Sequence, residues 1–169
     1  TNGLQVVIGK EVQRVPALFL SNCNAASLTF EDGCQCTAIG DAAFAGAMLS
    51  GSLVLPSTIT EIGSSAFSGN SLLSSIHIPS SVNKIGRYAF YECTNVNNLY
   101  FGPAEFTLAD GRGSANVFSR LGKNAGGVNL TIGREVKKVN QEMFDKYTNI
   151  KTLTFEEGAV CDEIGAREF

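Results

Sequence analysis

The sequence has little charge, no cluster of basic residues and no long apolar run. Charged residues make up 17% of the 169 residues, and 13 Lys and Arg are scattered among 16 Asp and Glu. A net charge of -3 excludes the basic surface that binding to nucleic acid or anionic lipid requires. No stretch approaches the roughly 18 consecutive apolar residues of a membrane-spanning helix. We therefore expect no nucleic-acid partner and no membrane insertion in this segment.

What the sequence does contain is internal repetition. Residues 53–67 read LVLPSTITEIGSSAF, and residues 76–90 read IHIPSSVNKIGRYAF, which is the same pattern 23 residues later. Phe preceded five positions earlier by Ile or Val occurs at Ile39/Phe44, Ile62/Phe67, Ile85/Phe90, Val139/Phe144 and Ile164/Phe169. Such a period indicates a solenoid, because one coil cannot bury its apolar face without neighbouring coils.

Each repeat is expected to contain one main strand, which begins nine residues after its Phe. These segments alternate apolar, variable, apolar, as in Ile76-His77-Ile78, which is typical of a strand with one buried face. A second short extended piece ending in Ile follows, and then a tight helical or irregular turn around Phe. Seven of the 11 Phe lie at or next to the repeat position and are predicted to stack as an internal ladder: Phe19, Phe44, Phe67, Phe90, Phe118, Phe144 and Phe169.

Other features predict how the repeats turn and where they are irregular. Gly follows the Ile of the repeat at 40, 63, 86 and 165, where we expect a left-handed backbone. The stretch at about residues 102–128 does not fit the pattern, and we expect a loop that bulges from the solenoid edge. Residues 28–44 match residues 153–169 at an offset of 125, and nothing caps the last repeat. We therefore expect residues 1–169 to be a single domain within a longer chain.

The consensus is apolar-x-apolar-Pro-x-Ser-Val/Ile-x-x-Ile-Gly-x-x-Ala-Phe-x-x-Cys/Asn, with IHIPSSVNKIGRYAFYEC (76–93) and LVLPSTITEIGSSAFSGN (53–70) as its strongest examples. It resembles the BspA-like leucine-rich repeats, also called the Treponema pallidum type, over the whole chain except the insertion between Gly102 and Val117. The resemblance implies an α/β, β-rich leucine-rich-repeat solenoid, a curved right-handed stack of 23- to 28-residue repeats with a parallel β-sheet on one face. It also implies a secreted or surface-displayed protein of bacteria or of some parasitic protists, which in some members is an adhesin for fibronectin or fibrinogen. The family implies no catalytic residues.

The five cysteines are predicted to be free thiols in structural positions. Cys36 and Cys161 occupy a position that is apolar in other repeats, so we expect them to be small buried side chains. Cys93, at the coil corner where other repeats have Asn, and the nearby Cys23 are expected to donate to the carbonyl of a neighbouring turn. Cys34 lies in an inserted turn and is expected to be the most exposed; whether it is paired stays open.

A metal site and a catalytic site both lack the residues they need. The spacing of Cys34 and Cys36 is shorter than in zinc fingers, and the chain has only one His. That residue, His77, is expected to face outward beside Val54 and Tyr100, which cannot complete a catalytic triad. The acidic pairs 31–32 and 156–157 recur after strands and could hold a divalent ion, although an exposed acidic turn is favoured. We predict no enzyme, no metal and no cofactor.

The outward positions of the strands form the candidate binding surface. Small polar side chains there, with one Tyr beside one His, suit recognition of an extracellular protein or a glycan. The predicted binding residues are His77, Tyr100, Val54, Thr29, Thr131 and Thr154. We hypothesise a secreted or surface-anchored module that binds a host-matrix or microbial-surface protein or glycoprotein. The alternative is a structural spacer that projects another domain, binds nothing, and has polar residues only to keep the sheet soluble.

Overall fold

The computed structural model describes residues 3–105, 107–108, 116–139, 144 and 148–164. These residues form a parallel β-solenoid of about six turns, which confirms the predicted architecture. The described residues contain no helix, so the α component of the predicted class is absent. Around the repeat Phe the chain instead forms hydrogen-bonded turns, as at residues 64–69.

Each coil contributes one long and one short strand. The long strands are β1 (Leu4–Ile8), β3 (Ala25–Phe30), β5 (Ser50–Val54), β7 (Leu72–Ile78), β9 (Asn98–Phe101), β11 (Val128–Ile132) and β13 (Ile150–Phe155). The short strands are β2 (Arg14–Val15), β4 (Ala38–Ile39), β6 (Glu61–Ile62), β8 (Lys84–Ile85), β10 (Thr107–Leu108), β12 (Lys138–Val139) and β14 (Glu163–Ile164). The outward surface of the long strands is called the strand face below, and the surface of the turns around the repeat Phe is called the turn face.

The long strands form two parallel sheets rather than one. The larger has the order β13-β11-β9-β7-β5, and β1 pairs only with β3. The short strands likewise form a five-stranded sheet, β10-β8-β6-β4-β2, and a β12-β14 pair. Apolar side chains alternate with exposed ones along the long strands, so each coil buries one side of its strand against its neighbours.

The predicted phenylalanine ladder is confirmed in the middle of the stack. Ring centroids of successive coils lie 5.2 to 5.6 Å apart through Phe44, Phe67, Phe90, Phe118 and Phe144. Phe19 does not belong to it, since it is 46% exposed and meets Phe44 only edge-on. Leu20 takes the equivalent position, because its N–H donates to Ala43 O as the N–H of Phe44 donates to Ala66 O. Phe169 lies outside the described residues.

The expected left-handed backbone at the repeat glycines is wrong. Gly40, Gly63 and Gly86 have ordinary φ angles, but their coils pass very close to the preceding one. A Cβ on Gly63 would lie 2.6 Å from the backbone nitrogen of Asp41. Glycine is therefore required by close approach and not by φ. Gly165 lies outside the described residues.

The described residues of the irregular stretch belong to the stack, and the part where the bulging loop is expected lies largely outside the described residues. β10 pairs with β8, with Leu108 as the register partner of Ile85, and Phe118 joins the ladder. The extension that follows packs inward, with Leu121 buried and Gly122 N–H donating to Cys93 O. The extra residues between Leu108 and Phe118 fall largely in 109–115, outside the described residues. This irregular coil spans 31 residues between paired strand positions because it contains the insertion.

The structure corrects the expectation for one cysteine and assigns the others. Cys34 is only 3% exposed, and its thiol lies 3.7 Å from Gly9 O, because the inserted turn folds inward. Cys36 is fully buried as predicted, while Cys161 is half-buried against the core. Cys93 donates to Phe67 O at 3.3 Å, the predicted corner role. Cys23 is exposed, and no disulfide joins any of the five.

Candidate functional site

The structure places five of the six predicted binding residues in one row across the strand face. Val54, His77, Tyr100, Thr131 and Thr154 are successive partners in the parallel register of β5, β7, β9, β11 and β13. The predicted neighbours of His77 are thus confirmed, because the repeat period fixes the register. Thr29 pairs with Val7 in the separate two-stranded sheet and is not part of this row.

His77 and Tyr100 form a stacked pair at the centre of the row. Their ring centroids lie 4.3 Å apart and the ring planes differ by 2°. Partial burial lowers the pKa of His77 below its usual value and raises the pKa of Tyr100, because both lose contact with water. The shift favours the neutral imidazole, and the pair presents one partly exposed aromatic surface.

Tyr100 is held in place by a carboxylate from a distant coil. Its hydroxyl donates to Glu156 Oε2 at 3.0 Å, and the N–H of Arg134 donates to the same oxygen at 3.0 Å. These bonds lower the pKa of Glu156, the Arg134 N–H contributing most. The Tyr100 hydroxyl passes over Gly133, where a Cβ would lie 2.7 Å from it. Arg134 and Gly133 are thus site residues that sequence reasoning missed, and Glu156 was considered only as part of an acidic pair.

The recurring acidic pairs are explained by the same contact. Glu31 Oε2 accepts a hydrogen bond from Lys10 N–H at 3.0 Å, as Glu156 does from Arg134 N–H. The first Glu of each pair therefore bonds a backbone N–H of the preceding coil. In the described part of the chain, no three His, Cys, Asp or Glu side chains cluster as metal ligands would. The IGKEV and IGREV segments recur one coil before each pair, and this recurrence was the sequence signal for the repeated contact.

A second polar row borders the first one and bonds mostly to itself. Ser75 donates to Ser52 at 2.8 Å in the N-terminal half of the sheet. In the C-terminal half, the Asn129 amide donates to Asn98 at 3.1 Å, and the Thr152 hydroxyl donates to Asn129 at 2.9 Å. The two rows together line a shallow groove of about 260 Å³, which includes Val54, His77, Tyr100 and Thr131 but not Thr154.

A second groove lies where the sheet is interrupted. β3 and β5 are the long strands of successive coils. No backbone hydrogen bond joins these two strands, both of which are described in full. Ser50 Oγ bridges their beginning by donating to Ala26 O at 2.8 Å. Beyond this bridge a groove of about 420 Å³ opens between Thr29 and Val54, with Pro56 and Glu31 in its wall. Thr29 therefore belongs to the candidate surface as the far side of this groove.

Comparison with known proteins identifies a repeat family and no individual relative. No curated protein and no solved structure matches the chain. Residues 4–110 and 116–169 match the model of the BspA type leucine rich repeat region, in six copies. Solenoids of this kind are generally non-catalytic, and the family is typically found on bacterial surfaces or secreted. Among the described residues there is no apolar helix of membrane-spanning length. The chain belongs to the BspA type leucine rich repeat family.

Proposed function

We propose that this chain is a non-catalytic binding module that holds an extracellular protein or glycoprotein against its strand face. The observation that carries this proposal is the stacked pair of His77 and Tyr100 in the groove between the two polar rows. Adhesion to a host-matrix or microbial-surface protein fits the usual location of the family. The module itself needs no cofactor for this role.

The pair has the properties of an interface anchor. Aromatic side chains supply large contact area, and Tyr and Trp are enriched among residues that dominate binding energy. Tyr100 is fixed by Glu156 before any partner arrives, so binding costs little side-chain entropy there. Val54, the next residue in the row, is 56% exposed and adds apolar surface beside the rings.

The interrupted sheet adds a way to hold an extended segment. The facing edges of β3 and β5 do not hydrogen-bond to each other. Strand edges of this kind bind extended peptides through their backbone groups, with specificity from adjacent pockets. An extended segment of the partner in this groove would run alongside β5 and contact Val54, whose register partner in the next strand is His77.

A structural spacer is the second candidate, and the self-bonded polar row favours it. Ser52, Ser75, Asn98, Asn129 and Thr152 satisfy much of their hydrogen bonding with one another. A sheet surface that pairs its own polar groups stays soluble without any partner. The stacked aromatic pair is the feature that this alternative leaves without a role.

Binding to immobilised fibronectin, fibrinogen and a panel of glycoproteins tests the proposal. His77→Ala and Tyr100→Ala are each expected to weaken binding at least about tenfold, as loss of an anchor does. Asn83→Ala, at an exposed position between β7 and β8, is the matched control and should leave affinity unchanged. Binding that survives both substitutions would place the site elsewhere. Absence of binding to every probe would favour the spacer.

A further inference from the structure

The turn face carries a groove that none of the sequence features above predicted. It has a volume of about 480 Å³, within the range of small-molecule sites. It lies across three consecutive coils, with Ser65 and Ser68 from one, Tyr88 and Tyr91 from the next, and Asn116 and Arg120 from the third. This groove shares no lining residue with the groove around His77 and Tyr100 on the strand face.

Two tyrosines give this groove an aromatic wall. The rings of Tyr88 and Tyr91 meet in a T-shaped contact, with centroids 5.4 Å apart and planes 71° apart. The Arg87 guanidinium lies 5.3 Å from the centroid of the Tyr88 ring. Both tyrosines are partly exposed and line the groove.

The Arg120 side chain, which lines the groove, forms a charge pair with Glu92 of the neighbouring coil. Arg120 Nη1 lies 2.6 Å from Glu92 Oε1, and both side chains are partly exposed. The pair offers N–H donors and carboxylate acceptors side by side in a fixed arrangement. Because the two charges offset each other, the pair favours a neutral ligand with closely spaced hydroxyl groups over an anion.

The backbone shows that these side chains occupy unfavourable positions. In every central coil the residues two before and two after the ladder position have a left-handed backbone. One pair of neighbouring coils fills these positions with small residues or glycine: Ala42, Gly46, Ser65 and Gly69. The coils of this groove fill them with larger side chains: Tyr88, Glu92, Asn116 and Arg120. Only Asn is well tolerated there, so Tyr, Glu and Arg are destabilising choices.

Strained backbone positions cluster at functional sites, so a residue that breaks the local pattern of its own repeat is a candidate functional position. The end coil also has a bulky residue, Leu18, at such a position, but it lines no part of this groove. Strain alone therefore does not define the site. In the coils of Phe90 and Phe118, strained positions coincide with a groove, an aromatic wall and a fixed charge pair.

We propose that this groove binds a neutral saccharide. One ring of a hexose would place its C–H face on a tyrosine, while adjacent hydroxyl groups bond to the Arg120 and Glu92 pair and to serine hydroxyls. Sugar hydroxyls donate and accept at once, which matches the mixture of groups present. This site is separate from the strand face, so it stands or falls independently of the proposed function above.

The repeat itself supplies the test variants. Tyr88→Ser with Glu92→Gly copies Ser65 and Gly69 of the preceding coil, and Arg120→Gly restores glycine at a left-handed position. Saturation-transfer NMR and calorimetry with maltotriose, cellotriose, chitotriose and mannotriose measure binding, and thermal melting measures stability. We expect at least one trisaccharide to bind and each variant to weaken binding at least tenfold, without lowering the melting temperature. Tyr91→Ser, which copies Ser68 at an ordinary φ, should weaken binding as well.

Asn83→Ala is the control, because this exposed residue lines neither this groove nor the strand-face groove and should leave saccharide binding unchanged. The proposal fails if none of the four trisaccharides binds at millimolar concentration. It also fails if the variants lose stability but keep full affinity, since the side chains would then have a structural role only.

Discussion

The imidazole of His77 stacks on the ring of Tyr100 at 4.3 Å, although the two residues belong to successive coils 23 positions apart. The contact follows from the parallel register, which places each outward residue beside its equivalent in the next strand. The same register stacks Phe67 on Phe90 inside the solenoid. One repeat period therefore builds an aromatic ladder in the core and a two-residue stack on the surface.

We expect His77 to titrate below pH 6.5, its ordinary value, because burial disfavours the imidazolium. The measurement is simple, since the chain has one His and hence one set of imidazole NMR signals. Tyr100→Ala should raise the pKa of His77 by exposing the ring. Glu156→Gln should lower it further, because the Glu156 carboxylate is the group that favours the charged form.

The same shift predicts the direction of the pH dependence of stability. The folded pKa of His77 is depressed, so the unfolded chain binds more protons in acid. The contribution of His77 to the free energy of unfolding is fully present above pH 6.5, and it is lost as the pH falls toward the pKa of His77 in the folded protein. His77→Gln should remove this component from a plot of unfolding free energy against pH. A His77 pKa at or above 6.5 in the folded protein would contradict the burial argument.

The repeat pattern was sufficient to predict which residues are neighbours, but it could not predict contacts that cross several coils. Val54, His77 and Tyr100 were placed correctly because each lies at the same position of its repeat. The bond between Tyr100 and Glu156 joins residues 56 positions apart and depends on the absence of a side chain at Gly133. Such a contact depends on side-chain reach, which no period specifies.

Two errors came from reading single residues instead of the register. Phe19 was assigned to the ladder because it is aromatic, yet Leu20 stands five residues after Val15, the spacing of the other repeats. Cys34 was expected to be exposed because it lies in an inserted turn, but the insertion folds inward.

The groove of Tyr88 and Tyr91 was missed because it is formed by side chains of three turns, each unremarkable in sequence.

Phe90→Ala is expected to destabilise the protein by about 3 to 5 kcal/mol, because it opens a cavity between two coils. Phe90 is fully buried and stacks on Phe67 and Phe118 at 5.4 and 5.6 Å. Phe19→Ala is the matched control: the ring is half-exposed, so its loss should cost less than about 1.5 kcal/mol. Equal unfolding free energies for the two variants in chemical denaturation would refute the ladder as the source of stability.

Gly63→Ala should be destabilising by roughly 1 to 3 kcal/mol through crowding. The new Cβ would lie 2.6 and 2.7 Å from backbone atoms of Asp41 and Gly40, which cannot move without shifting a whole coil. Gly9→Ala provides the control, since its Cβ would meet only the Glu31 carboxylate at 3.7 Å, an ordinary contact. Thermal melting compares the two; a tolerated Gly63→Ala would show that the coils are further apart than the structure places them.

Thiol accessibility gives the sharpest check on the inward fold of the inserted turn. In the folded protein only Cys23 is exposed, so an aromatic disulfide reagent should react rapidly with one thiol and more slowly with the half-buried Cys161. Cys34, Cys36 and Cys93 should react last, because burial shields them and raises the pKa of Cys36, and raises that of Cys93 to about 12.

Cys23→Ser should abolish the rapid phase, whereas Cys34→Ser should leave it unchanged. In guanidinium chloride all five thiols should titrate, since no disulfide joins them. A rapid phase that disappears with Cys34→Ser would mean that the turn points outward, as the sequence alone suggested. Fewer than five thiols in denaturant would instead reveal a disulfide and contradict the structure.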